Sequence, residues 1–432
     1  MTYVFMIEYL YGLQKHGIKL GLDTMRVLLA RLGNPQHRFR ALHIGGTNGK
    51  GSTAAMAAAV LQQSSLRVGL YTSPHLVDFR ERIRVNGELI SEDHAIRLID
   101  RIRSVLGDDL APTFFEVTTA LAFLHFAEEA VDVAVLEVGL GGRFDATNVV
   151  EQPLACGITT IGLDHQEYLG RSEEAIAFEK GGIIKPAMPV VIGRMGLEAE
   201  AVLSGIAREH SAPLWKLGRD FWLEESSSGR FSYRGVSQLW KGLTCGLAGQ
   251  HQWDNAACAL ALLEAAGGAG LVIDEPAVQR GLQTVSWEGR LECVQTDPLV
   301  LLDGAHNPHA AYALARYLSD YLARHPDARL ILVWGMMRDK DHRGFIAPFV
   351  PMVSDIVLTQ ATLARSATIH ELRSGLPDGM YSVHEAMVPA EALSMAIQRA
   401  NSKDLICVTG SLMLVGDIKA VIHGCRLSPI RG

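Results

Sequence analysis

The run Gly45-Gly46-Thr47-Asn48-Gly49-Lys50-Gly51-Ser52-Thr53 constrains the fold of this chain more than any other stretch. A short apolar segment, ALHIGG (41–46), leads into it, and the Ala-rich helix former STAAMAAAVLQQ (52–63) follows. Strand, glycine turn and helix in that order form a cradle for phosphate. Glycines let backbone N–H groups turn toward phosphate oxygens, and the helix N-terminus adds positive potential. Lys50 can then reach the β and γ phosphates, and the Ser52 hydroxyl can ligate Mg²⁺. A turn that binds nothing would want the glycines too, but not a lysine followed by hydroxyls. Gly51 stands between Lys50 and Ser52, where the usual P-loop has Lys followed directly by Ser or Thr.

The same alternation recurs along the chain. RVGLYTS (67–73), VDVAVLEVG (131–139), LACGITTIG (154–162) and PVVIG (189–193) are short apolar runs closed by turn residues, as buried parallel strands are. A second set begins after about residue 285, with PLVLLDG (298–304), RLILVWG (329–335), SDIVLTQ (354–360) and DLICVTG (404–410). The stretch HAAYALARYLSDYLARH (309–325) reads as a helix between two of them. Alternating strands and helices imply an α/β fold with right-handed crossovers. At 432 residues the chain is too long for one ordinary domain of roughly 100–200. We expect a boundary near Ser286–Leu291, with domains at 1–286 and 287–432. Residues 195–245 suggest a small β insertion, and MTYVFMIEYLYGLQKHG at the N-terminus reads as an amphipathic helix.

A net charge of −7 without a basic stripe argues against nucleic acid as a partner. No run reaches the ~18 uncharged apolar residues of a membrane span. The six cysteines are scattered and form no CxxC pair, which points to reduced thiols and a cytoplasmic location.

Three further clusters carry chemistry. Glu137, ahead of VGLGGRFDATN, closes a hydrophobic strand, where a carboxylate faces the ligand crevice and can hold Mg²⁺. The alternative is a strand-end Glu bonded to loop amides. Asp164-His165-Gln166-Glu167-Tyr168-Leu169-Gly170 follows another strand, whereas Glu179-Lys180-Gly181-Gly182 by itself is a helix end with a solvated lysine. In the second set, Asp303 and His306 of DGAHNPHA could contact a nucleotide or activate an amine, or simply cap a helix. Arg290, in WEGRLE, would by itself be a surface charge.

Taken together, GGTNGKGST, SPHL (73–76), EVGLGGRFDATN, DHQEYLG, EKGGIIKP, HQWDNAACA (251–259), WEGRLE, DGAHNPHA and VTGSLMLVGD (408–417) resemble the folylpolyglutamate synthase/dihydrofolate synthase family, a branch of the Mur ligase superfamily. The resemblance implies a P-loop ATPase domain with a parallel sheet, followed by a smaller Rossmann-like domain, with the active site in the cleft between them. It implies ATP as co-substrate, two Mg²⁺ ions, and glutamate joined to folate or dihydropteroate through an acyl phosphate. No nucleic acid, membrane or second subunit is implied, so a monomer is expected. Carried over residue by residue, Asn48, Gly49, Lys50, Gly51 and Ser52 match the phosphate loop. Gln252, Asn255, Arg290 and Asp303 match ATP contacts, and Ser52, Ser73, Glu137 and His165 match metal ligands. Lys50, Lys180 and His306 are the implied catalytic residues, and Lys180 matches a lysine that the family carbamylates. Leu22-Asp23, Phe114-Phe115-Glu116 and Arg143-Phe144-Asp145 resemble pterin-binding segments. Gly181 stands where the family commonly has Ala, with no effect on chemistry expected.

Two other readings compete. A UDP-muropeptide ligase of cell-wall synthesis shares the ATPase core, but its usual ~100-residue leading domain would not fit in the 44 residues before Gly45. A non-catalytic nucleotide-binding module would need neither Glu137 and His165 nor DGAHNP.

Overall fold

A computed structural model of the chain describes residues 2–14, 17, 21–226 and 230–428. Lys15 and His16, at the end of the N-terminal amphipathic stretch, lie outside them. Two compact units are present: residues 1–75, 79–246 and 252–286 in the first, and 76–78, 247–251 and 287–432 in the second.

The first unit is built on eight strands: β1 (Arg40–Gly45), β2 (Val68–Tyr71), β3 (Ile83–Val85), β4 (Glu88–Leu89), β5 (Val133–Glu137), β6 (Ala155–Ile158), β7 (Val190–Ile192) and β8 (Leu214–Lys216). Their order across the sheet is β4-β3-β2-β5-β1-β6-β7-β8. The six from β2 to β8 run parallel, and β3 and β4 add an antiparallel edge. Strands β2, β5 and β6 are buried along their whole length, which is why they read as unbroken apolar runs instead of alternating ones. The helices of this unit are α1 (Tyr3–Leu13), α2 (Asp23–Arg31), α3 (Lys50–Gln63), α4 (Glu92–Leu106), α5 (Phe114–Glu128), α6 (Gln166–Leu169), α7 (Glu173–Gly181), α8 (Leu197–Glu209), α9 (His251–Gly267) and α10 (Glu275–Thr284). Helix α1 buries Met6, Ile7, Leu10 and Leu13, a one-sided stripe, and leaves Val4, Phe5 and Tyr11 exposed. A capping box between Thr113 and Glu116 starts α5.

The β insertion is smaller than the sequence suggests. Residues 197–216 form α8 and the main-sheet strand β8, and only β9 (Trp222–Glu225), β10 (Phe231–Arg234) and β11 (Leu239–Leu243) make a separate antiparallel sheet. Stacked rings of Tyr233 and Trp240, 5.2 Å apart, hold it together.

The second unit carries β12 (Glu292–Thr296), β13 (Leu299–Leu302), β14 (Leu330–Trp334), β15 (Val353–Leu358), β16 (Ser382–Glu385) and β17 (Leu405–Thr409) in the order β12-β13-β17-β14-β15-β16. All pairs are parallel except the edge strand β12. Alternate residues of β14 serve opposite faces. Leu330, Leu332 and Trp334 join one apolar cluster with Leu314 and Leu318 of α11 (Pro308–Arg324). Ile331 and Val333 join the other, with Ala392 of α14 (Pro389–Arg399) and Ile418 of α15 (Leu412–His423). Short helices α12 (His342–Ile346) and α13 (Ile369–Ser374) complete the unit. Helices on both faces of a mainly parallel sheet are the doubly wound α/β arrangement.

Candidate active site

In the first unit, β2, β5, β1 and β6 lie side by side and parallel, so their C-terminal ends open onto one edge. That edge is where open α/β sheets bind ligands. Ser73 follows β2, Glu137 ends β5, the glycine loop follows β1, and Thr159, Thr160, Asp164 and His165 follow β6.

The loop is tied down at many points. Gly46 and Gly49 have φ of +138° and +84°, and a side chain at either would also collide. An added Cβ would come within 2.1 Å of Thr159 Oγ1 at Gly46, and 2.2 Å of Asn255 Oδ1 at Gly49. Thr159 and Thr160 donate their hydroxyls to the Asn48 carbonyl, and the Asn48 N–H donates back to Thr160 Oγ1 at 3.1 Å. Thr47 Oγ1 bridges to the backbone of Gly162. Sequence reasoning did not single out these two threonines. Their signal was a pair of hydroxyls at a strand's end, facing the turn of the neighbouring strand. On the other side, Asn255 Nδ2 donates to Gln252 Oε1 at 2.9 Å, with both side chains buried at the start of α9.

Two lysines converge on this loop. Lys50 Nζ donates to the carbonyls of Gly46 and Thr47, at 3.0 and 3.1 Å. Lys180 Nζ, buried, donates to the same Gly46 carbonyl at 2.8 Å. Burial, reinforced by the Lys50 charge, lowers the Lys180 pKa to about 7; Asp164 and Asp145 oppose the shift. Lys180 is therefore the opposite of the solvated lysine that its local sequence suggests.

The Ser52 hydroxyl is buried in the first turn of α3 and finds no hydrogen-bond partner. A buried orphan oxygen carries a cost unless something occupies it. Glu137 is 5% exposed, and its Oε2 accepts the Ser73 N–H at 3.1 Å. Hydroxyl and carboxylate oxygens are the donors Mg²⁺ prefers, so these residues fit that ion. His165 adopts φ +49° at the head of α6, with Nε2 4.0 Å from Asp164 Oδ2.

The loop after β5 packs onto the C-terminal end of α7. An added Cβ at Gly142 would lie 2.8 Å from the Lys180 carbonyl oxygen, so glycine is required for the contact that seats Lys180. Arg143 grips Glu179 through both guanidinium and backbone, and its charge lies 4.3 Å from the centre of the Phe144 ring. Asp145 is buried and accepts from the N–H groups of Gly139, Leu140 and Thr147 and from the Thr147 hydroxyl. Its oxygens hold the loop together. A Cβ at Gly181 would meet Ile206 Cδ1 at 2.5 Å, so glycine here brings α8 close to α7.

The segments assigned to the pterin sit on elements that pack together: α2, α5 and the single turn Ala146–Val149. Leu22 caps α2, and the exposed Asp23 pairs with Arg26 at 3.7 Å. Phe114 lies beneath the buried Arg82 guanidinium at 5.3 Å, Phe115 packs on Gly139, and Glu116 closes the α5 cap.

In the second unit, Asp303 follows β13. Its two oxygens accept the N–H groups of Leu291 and Ala305, both at 2.9 Å, which ties the Arg290 turn to the start of α11. Arg290 Nη1 donates to the Gly289 carbonyl. His306 Nδ1 lies 2.8 Å from the Gly304 carbonyl, and a carbonyl only accepts, so Nδ1 carries the proton.

The Mur ligase middle domain family matches residues 44–263, and the Mur ligase glutamate ligase domain family matches residues 289–412. Over 423 residues the chain is 36% identical to the dihydrofolate synthase/folylpolyglutamate synthase of Bacillus subtilis, covering 95% of this chain and 97% of that one. The chain belongs to the dihydrofolate synthase/folylpolyglutamate synthase family. Its Escherichia coli member is 34% identical over 421 residues, covering 97% of this chain and 95% of that one. A solved structure of the E. coli protein in complex with DHPP and ADP superposes with a TM-score of 0.89 at 32% identity, covering 98% of each chain. The Yersinia pestis bifunctional family member, solved with AMPPNP and a Mn ion, superposes at 0.88 and 32% identity, with the same coverage. Among the described residues no helix is long and apolar enough to cross a membrane, and none of the six cysteines forms a disulfide.

Proposed function

We propose that the chain ligates L-glutamate to folate, and to 7,8-dihydropteroate, at the expense of ATP. The observation that carries this reading is the phosphate cradle Gly46–Gly49, set at a strand-end edge with the orphan Ser52 hydroxyl and the Glu137 carboxylate. The relatives named above, matched over nearly their whole length, support the folate reading over the cell-wall ligase.

In the first half of the reaction a substrate carboxylate oxygen attacks the γ-phosphorus, the bond to the bridging oxygen breaks, and ADP leaves. In the second, the glutamate nitrogen attacks the acyl carbon, phosphate departs, and the amine proton goes to a base. Two anions must meet, so cations are needed. Lys50, released from the Gly46 and Thr47 carbonyls, meets the phosphates. Asn48, Gly49, Gly51, Gln252 and Asn255 shape the nucleotide side, and Arg290 and Asp303 are further ATP contacts. His306, with its Nδ1 turned to the Gly304 carbonyl, suits the base that takes the amine proton through Nε2. Ser52, Ser73, Glu137 and His165 would hold two magnesium ions, which spread the phosphate charge. Leu22, Asp23, Phe114, Phe115, Glu116, Arg143, Phe144 and Asp145 frame the pterin. The proposed enzyme is a cytoplasmic monomer.

A steady-state assay with dihydropteroate and tetrahydrofolate as alternative acceptors tests the reading. ATP-dependent glutamate incorporation is expected with both, and none with either would refute it. Glu137→Gln keeps the shape and removes the charge, so turnover should fall and the magnesium concentration for half-maximal rate should rise by ~10-fold or more. An unchanged magnesium dependence would count against Glu137 as a ligand.

A further inference from the structure

Away from the strand-end edge, α4 and the end of α5 bring together two histidines and a carboxylate that the ligation does not use. One ligating atom from each of His94, His125 and Glu129 lies within 4.8 Å of the others. The rings of His94 and His125 meet edge to face, 4.6 Å apart. His125 is 5% exposed, and its Nδ1 is buried without a hydrogen-bond partner.

The neighbours orient this group. His94 Nε2 lies 3.0 Å from Glu128 Oε2, and a carboxylate only accepts, so Nε2 is the protonated nitrogen. That leaves Nδ1 facing Glu129 Oε1 at 3.9 Å, too far for a hydrogen bond. The other Glu129 oxygen, Oε2, is held by Arg67. Arg97 and Arg101 balance the charge of Glu128. So the imidazole nitrogen not held by a carboxylate faces the carboxylate oxygen not held by an arginine. A carboxylate that fixes the far nitrogen of a ligating histidine is the usual outer partner in zinc sites.

We propose that His94, His125 and Glu129 bind one zinc ion, with Glu128 orienting His94. Two nitrogens and one oxygen suit Zn²⁺, whereas Mg²⁺ prefers oxygen alone. Tetrahedral zinc ligands lie ~3.3 Å apart, so side-chain rotations of about 1 Å close the site. The ion joins α4 to the C-terminal end of α5. Phe115 lies in the first turn of the same helix, ten residues before His125 and ~15 Å away. The role is therefore structural, a clamp on the helix whose other end frames the pterin pocket.

The test uses the full chain, stripped with EDTA and then held in excess Mg²⁺ and ADP to fill the catalytic positions. Titration with Zn²⁺, followed by calorimetry, should show one ion bound per chain, and the thermal midpoint should rise with free zinc. Co²⁺ should give visible d–d absorption. Glu128→Gln should weaken zinc binding by ~10–100-fold. His94→Gln and Glu129→Gln should weaken it at least as much, while magnesium-supported ligation persists. His125→Asn, if it folds, should behave likewise; the two rim variants decide the matter if it does not. Absence of a stoichiometric zinc equivalent, or equal zinc affinity in wild type, His94→Gln and Glu129→Gln, overturns the proposal, the latter meaning an adventitious ion only.

Discussion

Lys50→Ala should lower turnover by ~10³-fold, the scale of removing a cation that acts on a transferring phosphoryl group. The side chain does two jobs in the unliganded loop. It satisfies the carbonyls of Gly46 and Thr47, and it places a positive charge beside Lys180. Neither is needed to fold the sheet, because the loop is also clamped by Thr47, Thr159 and Thr160. The variant should therefore keep its circular dichroism and lose no more than a few degrees in thermal midpoint. Losing the Lys50 charge should also let the Lys180 pKa rise. Purified Lys50→Ala that retains near-normal ATP-dependent glutamate incorporation would remove Lys50 from the phosphate site.

The second large effect concerns Lys180, which we propose is carbamylated. Only a neutral amine attacks CO₂; the N–C bond forms, one proton leaves, and an anionic carbamate with two oxygens results. A free lysine titrates near ~10.4 and is almost wholly protonated at neutral pH. Burial, reinforced by Lys50, lowers Lys180 to about 7, so a far larger share of its amine is neutral there. The sign follows directly. Above pH 7 the amine is neutral and the modification is favoured; below it, protonation competes and the carbamate is lost. The modified side chain would supply an oxygen donor for the second magnesium ion, which imidazole does not. Activity should thus fall on the acid side of pH 7, more steeply in CO₂-depleted buffer, and recover on adding bicarbonate. Lys180→Ala should lose ~10²–10³-fold in turnover, and a short carboxylic acid should partly restore it. Mass spectrometry under native conditions, or a density map with magnesium bound at neutral pH, reads the modification directly. An unmodified amine there would end the proposal, leaving Lys180 as a structural donor to Gly46.

Much of the fold was legible because it depends on near neighbours. Strands β1, β5, β6, β14 and β17 are buried on both faces, so each is an unbroken apolar run ended by a turn, and Asn307-Pro308 marks where α11 starts. The strands that escaped notice were β3, β4, β12 and β16, which are short or partly exposed edges with little apolar signal. Likewise the insertion looked larger than it is, since nothing local distinguishes β8 of the main sheet from the separate β9–β11 sheet.

The sequence by itself determined a glycine cradle after a strand, a lysine and hydroxyls behind it, and a carboxylate ending a second strand. Those features sit within a few residues of one another or at strand ends, where local pattern carries the information. What only the tertiary structure decided is the company each residue keeps. Asp145 stands in a segment that resembles a pterin-binding one, and the fold gives its oxygens four loop donors. Lys180 looked solvated, and the fold buries it against a carbonyl 134 residues away. Its altered proton affinity comes from desolvation and from the charge of Lys50, and both exist only after the loop behind β5 has packed onto α7. Neither can be read from the residues beside it in the chain.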